Sequence, residues 1–589
     1  MAYDGLTMAA VAGELQQIVD GKIEKIYQPS KDVILVNLRQ KDGAKFRLLI
    51  SANATDARVH LTRGTFENPF SPPVFCMLLR KHLEGGRVTS IEQKGLERIL
   101  TFNIQSYNEL RESCQLQLIC EIMGKHSNII LVNPETGLIL DGIKRYSHLV
   151  SRHREVLPGK PYISPPAQGK RNPLHLSYEE METGLLEQIG KTLPRALVSL
   201  LDGFSPLLAK ELVIRANLDA DTKVESCGVY DFRNLFDSLQ GFLQELKAEN
   251  PSPSISKPGL QPKVFSAFRL TQFPSENLLH PPSVNEAIDK FHDSQIKEEI
   301  FNRAKQKYKN LVQKEITRCE KKASLQRETI DGALTLEDLR IKGELLLANL
   351  YQIKQGESQV ALENFYDPKG RPILIDLQPQ LTPPQNAERY FRQYNKTKNA
   401  AKRAQIYYDK TKSELDYLEA VLHDLETAST EEELTDISKE LQQQEYLKIT
   451  PSRKRKEKIV SEKPKLTSIL SSDGFTILIG KNNRQNDYLT LKVAKDKDIW
   501  FHTKDIPGSH VVVINTQGKS LPRQTLIEAG MVAAYFSKGR LGSNIPVDYT
   551  ERKHVRKPSG AKPGVVIYDN HSTLFVTPDE EQIKKLLNE

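Results

Sequence analysis

Tryptophan and cysteine are scarce in this 589-residue chain, with one and five residues. The thiols Cys76, Cys114, Cys120, Cys227 and Cys319 form no CxxC pair. That argues against a zinc ribbon or disulfide framework and for buried thiols in a reducing cytoplasm. No run of about eighteen apolar residues occurs, so no membrane-spanning helix is expected. The opening Met1-Ala-Tyr-Asp-Gly5 has neither a basic n-region nor an apolar core and is not expected to be a secretory signal. GxSxG, Walker A, HExxH and GxGxxG patterns are missing from any suitable context. No nucleophile–base pair has a physical warrant, so neither enzymatic activity, metal nor cofactor is expected. His502 and His510 stand too far apart on a loop and strand to be read as ligands and are taken as structural.

What the chain does have is a long seam. Ala387, Tyr390, Tyr394, Thr397, Ala401, Ala404, Tyr408, Thr411, Leu415, Leu418, Leu422 and Leu425 recur at alternating steps of three and four. That spacing keeps one helix stripe against a partner helix. At the α-helical rise the stripe is roughly 57 Å long, too wide for a compact domain, and is read as a projecting arm. Phe301, Tyr308, Val312, Ile316, Cys319, Ala323 and Ile330 form a rougher seam on an earlier charged helix. Two helical stretches flank one strand-patterned insert, Val360 to Leu377, with an Asp367-Pro-Lys-Gly370 turn. The reading is therefore an intramolecular hairpin in a monomer, in preference to a dimeric coiled coil. Thr382-Pro-Pro-Gln385 marks the start of the second helix as N-cap, first-position proline and capping box.

Three linkers are read from Pro, Gly, Ser and Lys content: Pro158–Gly169, Pro251–Gly259, and the basic Pro451–Lys458 running on to Pro464. Before the first, a helix over Leu6–Val19 and apolar runs at Ile23–Tyr27, Val33–Leu38, Phe46–Ile50, Leu96–Ile104, Leu116–Ile122 and Ile129–Val132 predict an α+β domain with an antiparallel sheet, and Pro72–Leu83 a further helix. Residues 171 to about 245 read as helical. There Leu201-Asp-Gly-Phe-Ser205-Pro has the shape of a helix-hairpin-helix turn, although Ser205 stands where glycine is usual; phosphate contact and plain helix packing both fit. From 466 the chain is β-rich. Phe475–Ile479 and Tyr488–Val493 read as strands joined by a polar turn, followed by strands at Ile499–Phe501 and His510–Ile514, a helix over Thr525–Ser537, and strands at Val565–Tyr568 and Thr573–Val576.

The net charge of +8 is mild for a nucleic-acid partner, but its clustering is more telling. Arg552-Lys-His-Val-Arg-Lys-Pro-Ser-Gly-Ala-Lys562 has no acidic residue inside it and can neutralise phosphates through Arg552, Lys553, Arg556, Lys557 and Lys562. The bland alternative is a solvated loop; the basic Arg453–Lys456 nearby tips the balance to RNA. Tyr488, Trp500 and Phe501 either stack bases or fill a core. In the first domain, Glu121-Ile-Met-Gly-Lys-His-Ser-Asn128 links two strands, with Gly124 permitting a tight turn and Lys125 and His126 at its tip. Arg98, between Leu96 and Ile99 on another strand, is either salt-bridged to Glu97 or Glu121 or faces a cleft.

Asp4-Gly5, Lys25-Ile-Tyr-Gln-Pro29, Phe66-Glu-Asn-Pro69, Phe75-Cys-Met-Leu-Leu-Arg-Lys81, Glu121–Asn128, Ile341-Lys-Gly-Glu344, Leu381-Thr-Pro-Pro-Gln-Asn-Ala387, Asp498-Ile-Trp-Phe-His-Thr-Lys504 and Lys557-Pro-Ser-Gly-Ala-Lys-Pro-Gly564 together resemble the NFACT family, in order and nearly end to end. The resemblance implies a multidomain α+β protein: an NFACT-N domain over 1–170, a helix-hairpin-helix domain over 171–275, coiled-coil arms over 276–355 and 385–450 around a middle module over 356–384, and a basic linker with a β-rich NFACT-R RNA-binding domain over 451–589. It further implies a cytoplasmic factor of ribosome-associated quality control. Such a factor binds a stalled large (50S) subunit through rRNA and peptidyl-tRNA and recruits tRNA(Ala), so that the ribosome itself adds an alanine tail. A small RNA-binding accessory factor is a further implied partner.

The family's tRNA-handling positions fall on Asp4, Glu97-Arg98 and Glu121-Ile122-Met123, with Gly124, Lys125 and His126 beside them. Where the family usually has Asp-Arg, this chain has Glu97-Arg98, which moves the carboxylate one methylene out. A sensor of obstructed subunits that does not drive tailing is therefore an alternative. A fibronectin-binding adhesin is another, and the sequence offers it neither signal nor anchor. NFACT-N also resembles the N-terminal domain of formamidopyrimidine-type DNA glycosylases, but their attacking N-terminal proline and cysteine cluster are missing here.

Overall fold

The computed structural model describes residues 3–587 apart from 109, 150–152, 249–250, 258–262, 370, 448–463, 516–517 and 519. The basic Arg453–Lys456 run lies outside the described residues. Two compact units divide the chain, Met1–Glu299 and Ile300–Glu589.

In the first unit, α1 (Gly5–Leu15) precedes β1 (Lys22–Ser30), β2 (Val33–Arg39), β3 (Lys45–Ser51) and β4 (Arg58–Leu61). Then come α2 (Val74–Leu83), β5 (Arg87–Gln93), β6 (Ile99–Tyr107), β7 (Ser113–Glu121), β8 (Asn128–Asn133) and β9 (Leu138–Gly142). The nine strands form one antiparallel sheet in the order β4-β3-β2-β1-β5-β6-β7-β8-β9. Strand periodicity sends Leu100, Phe102 and Ile104 to the face that packs on α1 and α2, and Ile99 to the other, with Ile119 and Ile130.

The strand expected to begin at Leu96 begins at Ile99. Residues 95–98 turn instead, because Gly95 takes φ +56°. Two expected linkers are also packed structure. In the first, Ile139 N–H donates to Lys160 O at 2.8 Å and Tyr162 N–H to Gly137 O at 2.9 Å. The second contains β10 (Ser254–Ser256), paired to β11 (Phe265–Ser266) and β12 (Leu278–Leu279). In each, backbone pairing to a neighbouring strand supplies the order that composition does not announce.

Helices α3 (Tyr178–Leu186), α4 (Leu193–Leu200), α5 (Pro206–Arg215) and α6 (Val229–Lys247) add to the same core. Between α4 and α5 the chain reverses at Gly203, φ +78°, and Ser205 Oγ caps α5 by accepting from Leu208 N–H at 3.4 Å. The long helix α7 (Val284–Asp331) starts in this unit. Glu14 caps it, accepting from Val284 N–H at 2.6 Å and Asn285 N–H at 2.9 Å. One turn on, Asp289 accepts from Thr62 Oγ1 at 2.6 Å and Arg63 N–H at 3.0 Å and lies 3.3 Å from His60 Nε2.

In the second unit, α8 (Leu336–Ala348) follows α7. β13 (Gln359–Glu363) and β14 (Pro372–Asp376) form a hairpin, and α9 (Pro383–Thr427) and α10 (Glu431–Gln443) return. The Gln385 side chain accepts from Thr382 N–H at 2.8 Å, as the capping pattern predicts. Every residue of the Ala387–Leu425 seam is buried or half-buried. At its far end Tyr417, Leu418, Val421 and Leu425 pack on Val312, Ile316 and Cys319 of α7. Lys305 Nζ donates to Glu426 O at 3.0 Å, so α7 and α9 run antiparallel.

The C-terminal sheet takes β15 (Thr467–Leu470), β16 (Thr476–Gly480), β17 (Ile499–Thr503), β18 (His510–Val513), β19 (Ile545–Glu551) and β22 (Ser572–Val576) in the order β15-β16-β18-β17-β19-β22. β20 (Val555–Arg556) and β21 (Ile567–Tyr568) pair separately, and α12 (Arg523–Tyr535) and α13 (Glu580–Leu587) pack on the sheet.

The expected turn and strand over 480–493 are corrected to helix. Asn482 caps α11 (Asn483–Tyr488), accepting from Gln485 N–H at 2.9 Å, and a π-turn over Leu489–Val493 closes with Ala494 N–H on Leu489 O at 2.9 Å. The alternation Leu-Thr-Leu-Lys-Val imitates a strand, but burial of Leu489 with Trp500 and Val512 selects the helical path. Sheet pairing also overturns the distance assumed between His502 and His510: their rings lie 5.3 Å apart, both against buried Trp500. Trp500 and Phe501 are fully buried on opposite faces of β17.

Candidate nucleic-acid interface

A cleft of about 830 Å³ opens in the first unit. It is lined by Asp4 and Gly5, by Leu96–Arg98, by Met123 and His126, by His153 and Arg154, and by the turns 165–170 and 202–206. These segments lie far apart in sequence and meet with almost no spare volume. Gly5 N–H donates to Gly203 O at 3.0 Å, and a Cβ on Gly5 would run into the Leu96 carbonyl and the Gly203 backbone. Gly203 faces the same constraint, with Leu96 Cβ only 2.7 Å from where its own Cβ would stand. Ile122 N–H donates to Arg98 O at 2.9 Å and ties the 95–98 turn to the Glu121–Asn128 link.

Asp4 is 4 % exposed and caps α1, its Oδ1 accepting from Thr7 N–H at 2.9 Å. Burial pushes its carboxyl above the usual aspartate value, against hydrogen bonds from Ser205 and Thr7. The buried Glu121 carboxylate takes both arms of the Arg154 guanidinium, Nη1 to Oε1 at 2.6 Å, and the Tyr162 hydroxyl at 3.0 Å. Arg154 is thus a cation on Glu121, and Arg98 lines the cleft with Glu97. Two guanidiniums, Lys170 and two imidazoles offer donors; Glu97 and Asp202 offer acceptors; α1 and α5 both begin at the wall. Such a wall can hold a phosphate and read a hydrogen-bonding edge. No group of three or more His, Cys, Asp or Glu able to hold a metal occurs among the described residues.

The basic run of the second unit is less open than its composition. Lys553 and Arg556 are exposed. Arg556 pairs with Asp569, and Arg552 Nε donates to Thr490 O at 2.8 Å, inside the π-turn. Lys557 pairs with Asp487. Lys562 Nζ donates to Gln444 Oε1 at 2.8 Å and stands 5.1 and 5.2 Å from the ring centres of Tyr417 and Tyr446.

Residues 4–459 match the family model of NFACT N-terminal and middle domains, and 465–570 match that of the NFACT protein RNA binding domain. The chain belongs to the NFACT family. Among its relatives in that family, "Rqc2 homolog RqcH" of Bacillus subtilis is 39% identical over 587 residues, with all of both chains covered. The protein of the same name in Streptococcus suis is 36% identical, again over all of both chains. The "Ribosome quality control complex subunit NEMF homolog" of Drosophila melanogaster is 22% identical over 89% of this chain and 59% of its own length. A solved structure titled as the fibrinogen binding protein from Staphylococcus aureus is 32% identical and covers 50% of this chain and all of its own, with a TM-score of 0.42.

Of the positions that the NFACT resemblance singles out, Asp4, Glu97, Arg98, Met123 and His126 line one cleft. Glu121 and Ile122 lie behind it, fully buried. Gly124, φ +61°, makes the turn, and Lys125 points to solvent. Sequence reasoning missed His153, Arg154, Tyr162 and the 165–170 turn, all near or inside a stretch read as linker. The signal available was a buried acid, Glu121, in need of a cation. No helix among the described residues is long and apolar enough to cross a membrane.

Proposed function

We propose that this protein acts in ribosome-associated quality control, binding a stalled large ribosomal subunit that carries peptidyl-tRNA and recruiting tRNA(Ala) for mRNA-independent C-terminal alanine tailing. The ribosome makes the peptide bonds, and the tail marks the chain for degradation. The observation that carries this reading is the full-length likeness, 39% identical from end to end, to a protein named as an Rqc2 homologue. The cleft supports it, because it gathers Asp4, Glu97 and Arg98 into one wall of donors and acceptors suited to an RNA backbone. In this reading 1–170 is the NFACT-N domain that holds tRNA, and 171–275 a helix-hairpin-helix domain whose Gly203 turn completes the cleft. The antiparallel α7 and α9 form the coiled-coil arm with the module over 356–384 at its tip, and 451–589 contacts RNA.

Crosslinking the protein in its own cells and sequencing the bound RNA tests this. Large-subunit rRNA with one enriched tRNA is the expected result. Arg98→Ala should reduce that tRNA signal about tenfold or more, the scale of one lost charge-assisted contact, and leave rRNA largely unchanged. Large-subunit rRNA with no enriched tRNA would instead favour a sensor that does not drive tailing. Glu97, one methylene longer than the usual aspartate, is the residue that keeps this second reading in view.

A further inference from the structure

The basic loop that follows β19 is fastened to its own protein. Lys562 Nζ stands beside the stacked rings of Tyr417 of α9 and Tyr446 after α10, 5.1 and 5.2 Å from their centres, which lie 6.2 Å apart. Two aromatic faces and the Gln444 oxygen together replace much of the water an ammonium would lose. Lys557 pairs with Asp487 of α11, and the other oxygen of that carboxylate accepts from Gly564 N–H at 3.1 Å. Gly564 has φ +81°, and a Cβ there would run into the Asn483 side-chain amide.

Asn483 completes the link. Its N–H donates to Asp424 Oδ2 of α9 at 3.1 Å and its Nδ2 to Glu440 Oε1 of α10 at 3.1 Å. Tyr417, which walls Lys562, donates its hydroxyl to the same Glu440 oxygen at 2.9 Å. The loop, α11 and the feet of α9 and α10 thus share one continuous set of contacts. Lys553 and Arg556, a few residues earlier in the same run, also meet carboxylates, Glu551 and Asp569, but as solvent-exposed pairs, which contribute little, whereas the Lys557–Asp487 pair is largely shielded.

An ammonium packed beside two rings, or neutralised by a carboxylate, has less charge and fewer N–H donors to offer a phosphate. We propose that Lys557–Gly564 is a clasp: it fastens the RNA-binding domain to the feet of α9 and α10 and withholds Lys557 and Lys562 from phosphates until RNA displaces Asp487 and the tyrosine pair. The inference rests on the reading that this domain contacts RNA, and adds that RNA contact and release of the domain from the helices are one coupled event. A ligand that binds only the open form must spend part of its affinity on opening it, so loosening the clasp raises apparent affinity.

The test uses the full chain and a labelled oligouridylate at low salt, where phosphate contacts are least screened. Asp487→Asn removes the Lys557 counter-charge with little change of shape, and Gly564→Ala wedges the loop off Asn483 without changing charge. Each should tighten RNA binding about three- to tenfold, the scale on which one competing charged contact is lost. Each should also speed amide exchange at Asn483 and Gly564, measured without RNA. Lys553→Gln, outside the clasp, should weaken RNA binding and leave that exchange unchanged. Faster exchange with unchanged or weaker RNA binding would overturn the withholding of the lysines. Unchanged exchange in both clasp variants would overturn the clasp itself. A native chain that binds no oligouridylate, with exchange behaving as expected, would overturn the RNA reading and the coupling with it. Using the near-isosteric Asp487→Asn keeps the test standing if Gly564→Ala fails to fold.

Discussion

Glu121 in the first unit and Glu440 in the second are both removed from water, and they meet opposite company. Glu121 is gripped by Arg154. Glu440 meets a tyrosine, an asparagine and the field of Asp424, and Lys557 is paired with Asp487 instead. Burial, joined by the Asp487 charge, pushes the Glu440 carboxyl up to about 7 against hydrogen bonds from Tyr417 and Asn483, and burial together with Glu440 raises Asp424 well above the ordinary aspartate range. A carboxylate clamped by a guanidinium is fixed by that pairing. A carboxyl that relies on a proton keeps its place only while the proton stays. The first arrangement builds the wall of a cleft; the second lies under a contact between a domain and a pair of helices.

The sharpest way to break the contrast is Arg154→Leu. Removing one partner of a buried pair strands the other charge, at about 3–5 kcal/mol, so the first unit should lose most of that in urea unfolding. A loss under about 1 kcal/mol would show that Glu121 does not depend on Arg154.

Next in size is the pH response of two buried groups, which should have opposite signs at His60 and at Glu440. Burial drives His60 down to about 4 from 6.5, so between those values the unfolded chain binds the extra proton and the first unit weakens as pH falls. Asp289, held to about 2 against the pull of burial by His60, Thr62 and Arg63, adds to that loss as pH falls below its unfolded value of 3.8. Glu440 binds its proton in the folded state, so its contribution is full below 4.5 and fades as pH rises through about 7. Each effect is on the order of 2–3.5 kcal/mol across its window. Buried His502 and His510, both held below 6.5, give the second unit an opposing slope, so the Glu440 part is read as the difference in pH slope between the native chain and Glu440→Gln, and pulse proteolysis reports the first unit. Equal slopes in the native chain and Glu440→Gln would erase the distinction.

The smallest expected effect is the most specific. Glu440→Gln keeps an acceptor for Tyr417 and Asn483 but can no longer ionise, so it should stabilise the second unit by about 1 kcal/mol above pH 7.5 and leave it nearly unchanged at pH 5. A destabilisation at both pH values would mean that the charged form is the structural one.

Much of this could be read from sequence where a period was long enough to count. The Ala387–Leu425 stripe and the capping pattern at Thr382 have periods and partners set by their own residues, and the structure shields those positions. What failed were features decided by neighbours. Tyr488–Val493 alternates like a strand, yet burial of Leu489 beside Trp500 makes it helical. His502 and His510 are eight residues apart but face each other across β17 and β18. At the cleft, Asp4, Glu97 and Arg98 could be named from the family resemblance. Arg154 could not, because its part is fixed by Glu121, thirty-three residues earlier, through a fold that no local pattern encodes.

The crossing at Gly5, where α1, the 95–98 turn and Gly203 meet without room for a methyl group, bears on how the protein is born. Residues at positions 5, 96 and 203 must all be present before any of them is held, so a chain emerging from its own ribosome has no finished cleft until the α4–α5 turn has left the tunnel. A protein proposed to attend to interrupted synthesis is thus one whose own interrupted copies, cut off before Gly203, cannot compete with the complete molecule for its ligand.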